Sequence, residues 1–341
     1  MKAIGFYEPL PIKESNSLVA LTLPNPEPRP RDLLVRVKAV SLNPVDTKVR
    51  MRTPKSETAN VLGWDAAGVI EAVGKEVTLF KTGDEVYYAG DVTRPGCNSE
   101  LHLIDERIVG KKPRKLSFKE AAAMPLTTIT AWESLFDRLG FESTPQKNIR
   151  KSILIIGGAG GVGSIAIQLA KQVAGLKVIA TASRESSEKW CRQMGADEII
   201  NHHQSFKSEF KENNLQEVDA VLCLNSTEKH VHNMFDVIKP QGKICSIIST
   251  ADNAPMDMNI FFQKSVSFAW ELMFTRPMFQ TEDMLEQHRL LNQASELFDQ
   301  GILKSTMTNS LEGMSVENLK KGHLALEAGD MIGKLVIDGV W

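Results

Sequence analysis

The spacing of apolar and polar residues changes character once along this chain. Up to about residue 125 the apolar positions come in short runs. Leu33 to Val40 (LLVRVKAV) alternates, which is the period of a half-buried strand. Gly68 to Val73 (GVIEAV) and Glu85 to Tyr88 (EVYY) predict further strands, punctuated by Gly74, Gly83 and Gly90. The proline-rich Pro24 to Pro30 reads as an extended connector. Many short strands with frequent glycine turns predict a small barrel or sandwich. A helix starts over Lys119 to Met124, and after Pro125 a second covers Ile129 to Leu139.

From Lys151 the rhythm becomes strand then helix. Ile153 to Ile156 is an apolar, β-branched run of the length expected for a strand buried on both faces. Strands over Lys177 to Ala182, Glu198 to Ile200, Val218 to Leu224 and Lys243 to Ile248 follow. Helices over Glu185 to Met194, closed by Gly195, and over Val231 to Ile238, ended by Pro240-Gln241-Gly242, lie among them. This alternation predicts a parallel sheet wound by right-handed crossovers. Ser265 to Trp270 adds a strand. Helices over Glu282 to Gln300 and Ser315 to Ala328, stopped by Gly301 and Gly329, and a strand over Gly333 to Asp338 lie beyond the sheet's complement. They are expected to return to the first domain.

Between the run ending at Ile156 and the helix carrying Ile165, Ile167 and Leu169 stand Gly158, Gly160 and Gly163, spaced G-x-G-x-x-G. One such glycine makes a tight turn, one lets backbone approach a pyrophosphate, and one lets helix and strand pack closely. With Gly161 and Val162 they form the expected cofactor turn, the phosphates resting on the helix N-terminus. An NAD-specific site places an acid about 20 residues past the glycines. Here that count from Gly163 reaches Ser183, followed by Arg184. A hydroxyl and a guanidinium suit a 2′-phosphate, so the expected cofactor is NADPH, with Lys189 as a second positive charge. The alternative is a solvated Arg184 with Glu185 on the ribose. His202 and His203, after Asn201, are either surface residues or a cover for the phosphate.

With 341 residues the chain is too long for one ordinary core, and two domains are expected. A formal net charge of −2 gives no electrostatic case for nucleic acid or an anionic membrane. The N-terminus lacks a signal-peptide core, and no apolar run approaches the roughly 20 residues of a membrane helix. Cys97, Cys191, Cys223 and Cys245 are scattered without a C-x-x-C pair, which fits a reducing cytoplasm.

SLNPVDTKVR (Ser41 to Arg50), LGWDAAGVIEAVG (Leu62 to Gly74), AAAMPLTTITAWESL (Ala121 to Leu135), GGAGGVGSIAIQLAK, KWCRQMGADEIIN and MIGKLVID together resemble the medium-chain dehydrogenase/reductase superfamily, in its quinone oxidoreductase branch. The resemblance also extends to bacterial proteins labelled zinc-type alcohol dehydrogenase-like. It implies an α/β chain made of a GroES-like β-barrel domain (1–127 and 277–341) and a Rossmann doubly wound parallel-sheet domain (128–276). It further implies a cleft between the two and a homodimer that pairs Ser265 to Trp270 across a two-fold axis. By the same resemblance Asn43 and Thr127 lie beside the nicotinamide, Asn225 and Lys334 join the cofactor-binding residues, and Phe274 to Arg276 approaches the nicotinamide end.

Zinc-dependent relatives carry a Cys at the segment of Asn43-Pro44 and Gly-His-Glu where this chain has Gly63-Trp64-Asp65. Tryptophan offers a metal no lone pair, and one carboxylate does not make a three-ligand site, so no metal is expected. Trp64 then reads either as pocket wall or as core. Without zinc, the fitting substrates are quinones and α,β-unsaturated carbonyls, whose charge after hydride addition is delocalised. The candidate catalytic residues are Asn43, Trp64, Asp65 and Thr127, with Asp46 and Arg50 nearby. Arg50 either attracts an anionic substrate tail or pairs with a carboxylate. The competing readings are a zinc alcohol dehydrogenase and a nucleotide-binding protein without turnover.

Overall fold

The computed structural model describes residues 1–249, 255–339 and 341. They form two compact units, Met1–Ile129 with Phe274–Trp341, and Thr130–Met273.

The first unit opens with β1 (Lys2–Phe6), β2 (Val19–Thr22), β3 (Asp32–Ser41), α1 (Pro44–Arg52), β4 (Asn60–Val61), β5 (Ala66–Val73), β6 (Glu85–Tyr88), β7 (Leu101–Asp105), β8 (Val109–Lys111), α2 (Phe118–Ala122) and the first residues of α3 (Pro125–Trp132), whose last three belong to the second unit. β1 pairs antiparallel with both β2 and β4 in a small three-stranded sheet. β3 is the spine of the larger sheet. Its alternation buries Leu33, Val35, Val37 and Ala39 and turns Lys38 to solvent. It pairs antiparallel with β5 along most of its length and with β7 over its first half. α1 has no apolar stripe to betray it in the sequence. It is specified at its start instead, by Pro44 at the first helical position and by Asp46, which accepts the Asn43 backbone N–H at 2.7 Å.

The second unit holds β9 (Ser152–Ile156), α4 (Gly161–Gln168), β10 (Lys177–Thr181), α5 (Glu185–Met194), β11 (Glu198–Ile200), α6 (Phe206–Glu212), β12 (Val218–Cys223), α7 (Thr227–Val237), β13 (Ile238–Ser246) and β14 (Ser267–Trp270). Its strands lie in the order β11-β10-β9-β12-β13-β14, and every neighbouring pair is parallel. That order reverses between β9 and β12, where doubly wound sheets open a crevice at the carboxyl ends of their strands. Leu154, Ile156, Ile179, Val221, Phe206 and Met234 share its core. β13 begins five residues before the expected Lys243. Pro240-Gln241-Gly242 does not end the preceding element but is carried within the strand, where Gln241 has φ of 63° and the pairing with β12 shifts register.

The chain then supplies α8 (Thr275–Phe279), α9 (Glu286–Gln300), β15 (Met307–Leu311), α10 (Val316–Ala328) and β16 (Lys334–Asp338) to the first unit. β16 pairs antiparallel with the last residues of β3, and β15 lies parallel on β16. β15 reads MTNSL, too polar for its sequence to announce a strand. The chain is α/β, as its pattern implies. Among the described residues no helix is long and apolar enough to cross a membrane.

Candidate active site

The turn after β9 divides its glycines between two tasks. Gly157, one residue before the G-x-G-x-x-G, makes the left-handed turn at φ of 86°, and its N–H donates to Thr181 Oγ1 at 3.0 Å. Gly158 and Gly163 serve packing. A Cβ on Gly158 would lie 2.8 Å from the Ala180 Cβ, and one on Gly163 would lie 2.3 Å from the Gly157 carbonyl oxygen. Gly160 differs, because a Cβ there would meet only the Gly157 oxygen, at 3.6 Å. Gly160 is therefore bare where α4 begins, and Gly161 and Val162 follow it half-buried in the first turn. The unused N–H groups of a helix start and this open backbone fit a pyrophosphate.

The register of β10 and β11 sets the other end of that site. The Ala182 N–H donates to the Ile200 carbonyl at 3.0 Å, so Ser183-Arg184 and Asn201-His202 leave adjacent strands together. Ser183 is half-buried, and Arg184 and Lys189 are exposed. The backbone N–H of Arg184 donates to Ser187 Oγ at 3.1 Å, so the residue is anchored at the start of α5 through its main chain. The His202 and His203 rings lie 4.4 Å apart, and His202 Nδ1 has no hydrogen-bond partner. Burial lowers the His202 pKa, and the positive charges of His203 and Arg184 lower it further. Asn225 is exposed just past β12 and accepts from Ser226 Oγ at 3.1 Å. The Trp190 indole N–H donates to Ser164 Oγ at 2.7 Å and ties α5 to α4, a link no sequence motif signals.

In the first unit, Asn43, Asp65 and Lys334 form one buried polar centre. Lys334 Nζ donates to the Leu42 carbonyl at 2.9 Å, to Asp65 Oδ2 at 3.0 Å and to Asn43 Oδ1. The Asn43 amide donates to Asp65 Oδ2 at 3.1 Å and to the Ser41 carbonyl at 3.3 Å. Asp65 Oδ1 accepts the Leu126 N–H at 3.0 Å, at the start of α3. Burial raises the pKa of Asp65, against the lowering effect of Lys334. Burial also pushes Asp46 up to about 7, and its Oδ1 has no hydrogen-bond partner.

This arrangement changes several expectations. Lys334, expected among the cofactor-binding residues, is itself buried and bonded to Asp65 and Asn43, because an ammonium in that depth requires acceptors on every side. Both amide hydrogens of Asn43 are engaged, and the Thr127 hydroxyl donates at 3.2 Å to the carbonyl of Met124, the residue before α3. Trp64 is core. It is 2% exposed, donates to the Asp91 carbonyl at 3.2 Å and meets the Phe274 ring edge-on at 6.3 Å. Arg50 is fully buried and paired with Glu327 at 2.6 Å, which removes it as a lure for a substrate tail. Arg276 is paired with Asp283 at 2.9 Å.

A zinc ion requires three protein ligands with free lone pairs. Among the described residues no three His, Cys, Asp or Glu side chains are grouped to hold a metal. Asp65 is already neutralised by an ammonium, and the Trp64 nitrogen is a donor. These residues do not fit zinc.

Two family models match the chain, an alcohol dehydrogenase GroES-like domain over residues 29–127 and a zinc-binding dehydrogenase domain over residues 161–287. A zinc-type alcohol dehydrogenase-like protein of Staphylococcus aureus is 44% identical over 338 residues, 99% of this chain and 100% of that one. The crystal structure of a Rhizobium etli protein, provisionally assigned as a zinc-dependent alcohol dehydrogenase, is 49% identical with a TM-score of 0.94 and covers 100% of this chain and 98% of its own. The NADPH-dependent alkenal/one oxidoreductase of Arabidopsis thaliana chloroplasts is 36% identical over 246 residues, 69% of this chain and 58% of that protein.

Proposed function

Because the chain belongs to the medium-chain dehydrogenase/reductase superfamily and is an oxidoreductase of that family, we propose that it reduces quinones or α,β-unsaturated carbonyls with NADPH and without zinc. Bound at Gly160 to Gly163, the cofactor supplies the hydride. Arg184 and Ser183 hold its 2′-phosphate through charge-assisted hydrogen bonds, with His202 beside them. Lys189 adds positive charge on the same helix.

The observation that carries the substrate reading is the internal saturation of the first unit's polar centre. Asn43, Thr127 and Lys334 direct their side-chain donors to partners within the unit. None is left over to polarise an isolated carbonyl, as a metal or a free acid does in alcohol dehydrogenation. A conjugated acceptor needs no such group, since hydride addition leaves its charge spread over the conjugated system and solvent returns the proton. The Arabidopsis relative, named for alkenals and enones, supports the same class.

The test is NADPH oxidation by the purified protein against 1,4-benzoquinone, an enone such as 3-penten-2-one, and acetaldehyde, with zinc measured in the same preparation. Turnover of either conjugated substrate with less than one zinc per ten chains is expected. Turnover confined to acetaldehyde, with one zinc per chain, overturns the reading.

A further inference from the structure

The three hydrogens of the Lys334 ammonium are directed at three oxygens from two separate segments: the Leu42 carbonyl and Asn43 Oδ1 at the end of β3, and Asp65 Oδ2 at the start of β5. A counter-ion for Asp65 would need only the last of these. The two neutral oxygens make the site a cage, like the shell of carbonyl and carboxylate oxygens that gathers round a bound cation. Two helices begin at this cage. Asn43 is the residue before α1, and Asp65 holds the Leu126 N–H at the start of α3.

We propose that Lys334 is an internal cation and the positioning residue of the first unit's polar centre. Its ammonium assembles the β3–α1 junction, β5 and the start of α3 into one geometry, as a coordinated ion does in a metal-organised site. Lys334 contacts neither substrate nor cofactor in this role. It acts through Asn43 and through Asp65, which fix the starts of α1 and α3. The catalytic part of this inference rests on the proposed quinone or enone reductase activity; the structural part does not.

Chemical rescue tests it. Lys334→Ala removes the ammonium and leaves the oxygen cage with a gap of its size. The expected result is a lower Tm and a kcat for 1,4-benzoquinone at least tenfold below wild type, with the KM for NADPH nearly unchanged. Ethylammonium at about 100 mM should return both Tm and kcat toward wild type, and sodium or tetramethylammonium at the same ionic strength should return neither. Wild-type Tm and kcat in Lys334→Ala, or a folded variant that no small ammonium rescues, overturns the proposal. Should Lys334→Ala fail to fold, Asp65→Asn with Lys334→Met removes both charges at nearly constant volume. A positioning role then predicts recovered Tm with kcat still at least tenfold low, and a wild-type kcat overturns it. If wild type itself lacks NADPH turnover, the proposed activity fails, while rescue of Tm still decides the role of Lys334.

Discussion

The ammonium of Lys334 stands 3.0 Å from the carboxylate of Asp65 in a place where both side chains are almost fully excluded from water. An ion pair at that depth adds little stability over a well-packed apolar pair, yet removing one partner strands the other charge, at a cost of about 3–5 kcal/mol. Asp65→Leu strands Lys334 and also takes the acceptor from the Leu126 N–H. Urea unfolding of this variant should show a loss in that range, and a loss under about 1 kcal/mol would mean that water reaches the pair.

Asp46 predicts a pH dependence of stability. Burial holds its carboxyl near 7 in the folded chain, against about 3.9 when unfolded. The native state therefore grips this proton more tightly. Its stabilising effect is complete below about pH 4, declines as pH rises through the window up to about 7, and is gone above it. Asp46→Asn keeps an acceptor for the Asn43 N–H and cannot ionise. Its unfolding free energy should match wild type near pH 4 and exceed it at pH 8, by at most about 4 kcal/mol. A difference that is the same at both pH values counts against a raised pKa.

The glycine turn after β9 predicts opposite outcomes for two alanines. Gly163→Ala places a methyl 2.3 Å from the Gly157 carbonyl, a backbone atom with nowhere to go, and should cost about 3 kcal/mol or more of stability. Gly160→Ala, at φ of −72°, meets nothing closer than 3.6 Å. It should stay within about 0.5 kcal/mol of wild type while losing NADPH affinity, because the methyl fills the space left for phosphate. Equal Tm values for the two, or unaltered NADPH binding by Gly160→Ala, would contradict this division of labour.

The proposed hold on the 2′-phosphate rests on Arg184, which is exposed and anchored to α5 through its backbone. Arg184→Ala leaves that backbone anchor in place. It removes a charged contact of the kind worth roughly 1.5–3 kcal/mol, which is about tenfold to hundredfold in NADPH affinity. NADH binding should barely change. Parallel titrations of both cofactors decide the matter, and equal weakening of the two would assign Arg184 to the fold.

Assembly turns on β14, the edge strand of the second unit's sheet. Trp270 on it is 47% exposed, and Leu272 just beyond it is 51% exposed. An apolar open edge is liable to pair with another chain, so we expect a homodimer joined there. Light scattering should give twice the chain mass for wild type and a shift to monomer for Trp270→Glu. A monomeric wild type at micromolar concentration removes the expectation.

The legible parts of this chain were those whose pattern is local. The run Ile153 to Ile156, the glycines after it, and helix α5 with its closing Gly195 are each set by neighbours within a turn or two, and the structure has them where the pattern puts them. α1 and β15 escaped because their specification lies outside their apolar pattern, in a cap and in pairing with β16. The polar centre was legible as residues but not as a network. Asn43, Asp65 and Lys334 each stand in a stretch that carries the family resemblance, yet Lys334 lies 291 residues from Asn43, and no local spacing reveals that its ammonium is consumed by the other two. Trp64 shows the same limit, since its neighbours Asp91 and Phe274 are remote in the chain.

The separation of Asp65 from Lys334 has a consequence during synthesis. The two are 269 residues apart, and at roughly 5–20 residues per second the ribosome needs about a quarter-minute to nearly a minute to travel between them. Thr130–Met273 is contiguous and can close on itself as it emerges. The earlier strands cannot finish, because β16 must still add to β3 and bring the cation for Asp65. A nascent chain thus carries an uncompensated acidic centre and an unzipped β3 for that whole interval. A chain cut short before Lys334 never leaves this state, and such products should fall to proteolysis however soundly Thr130–Met273 folds.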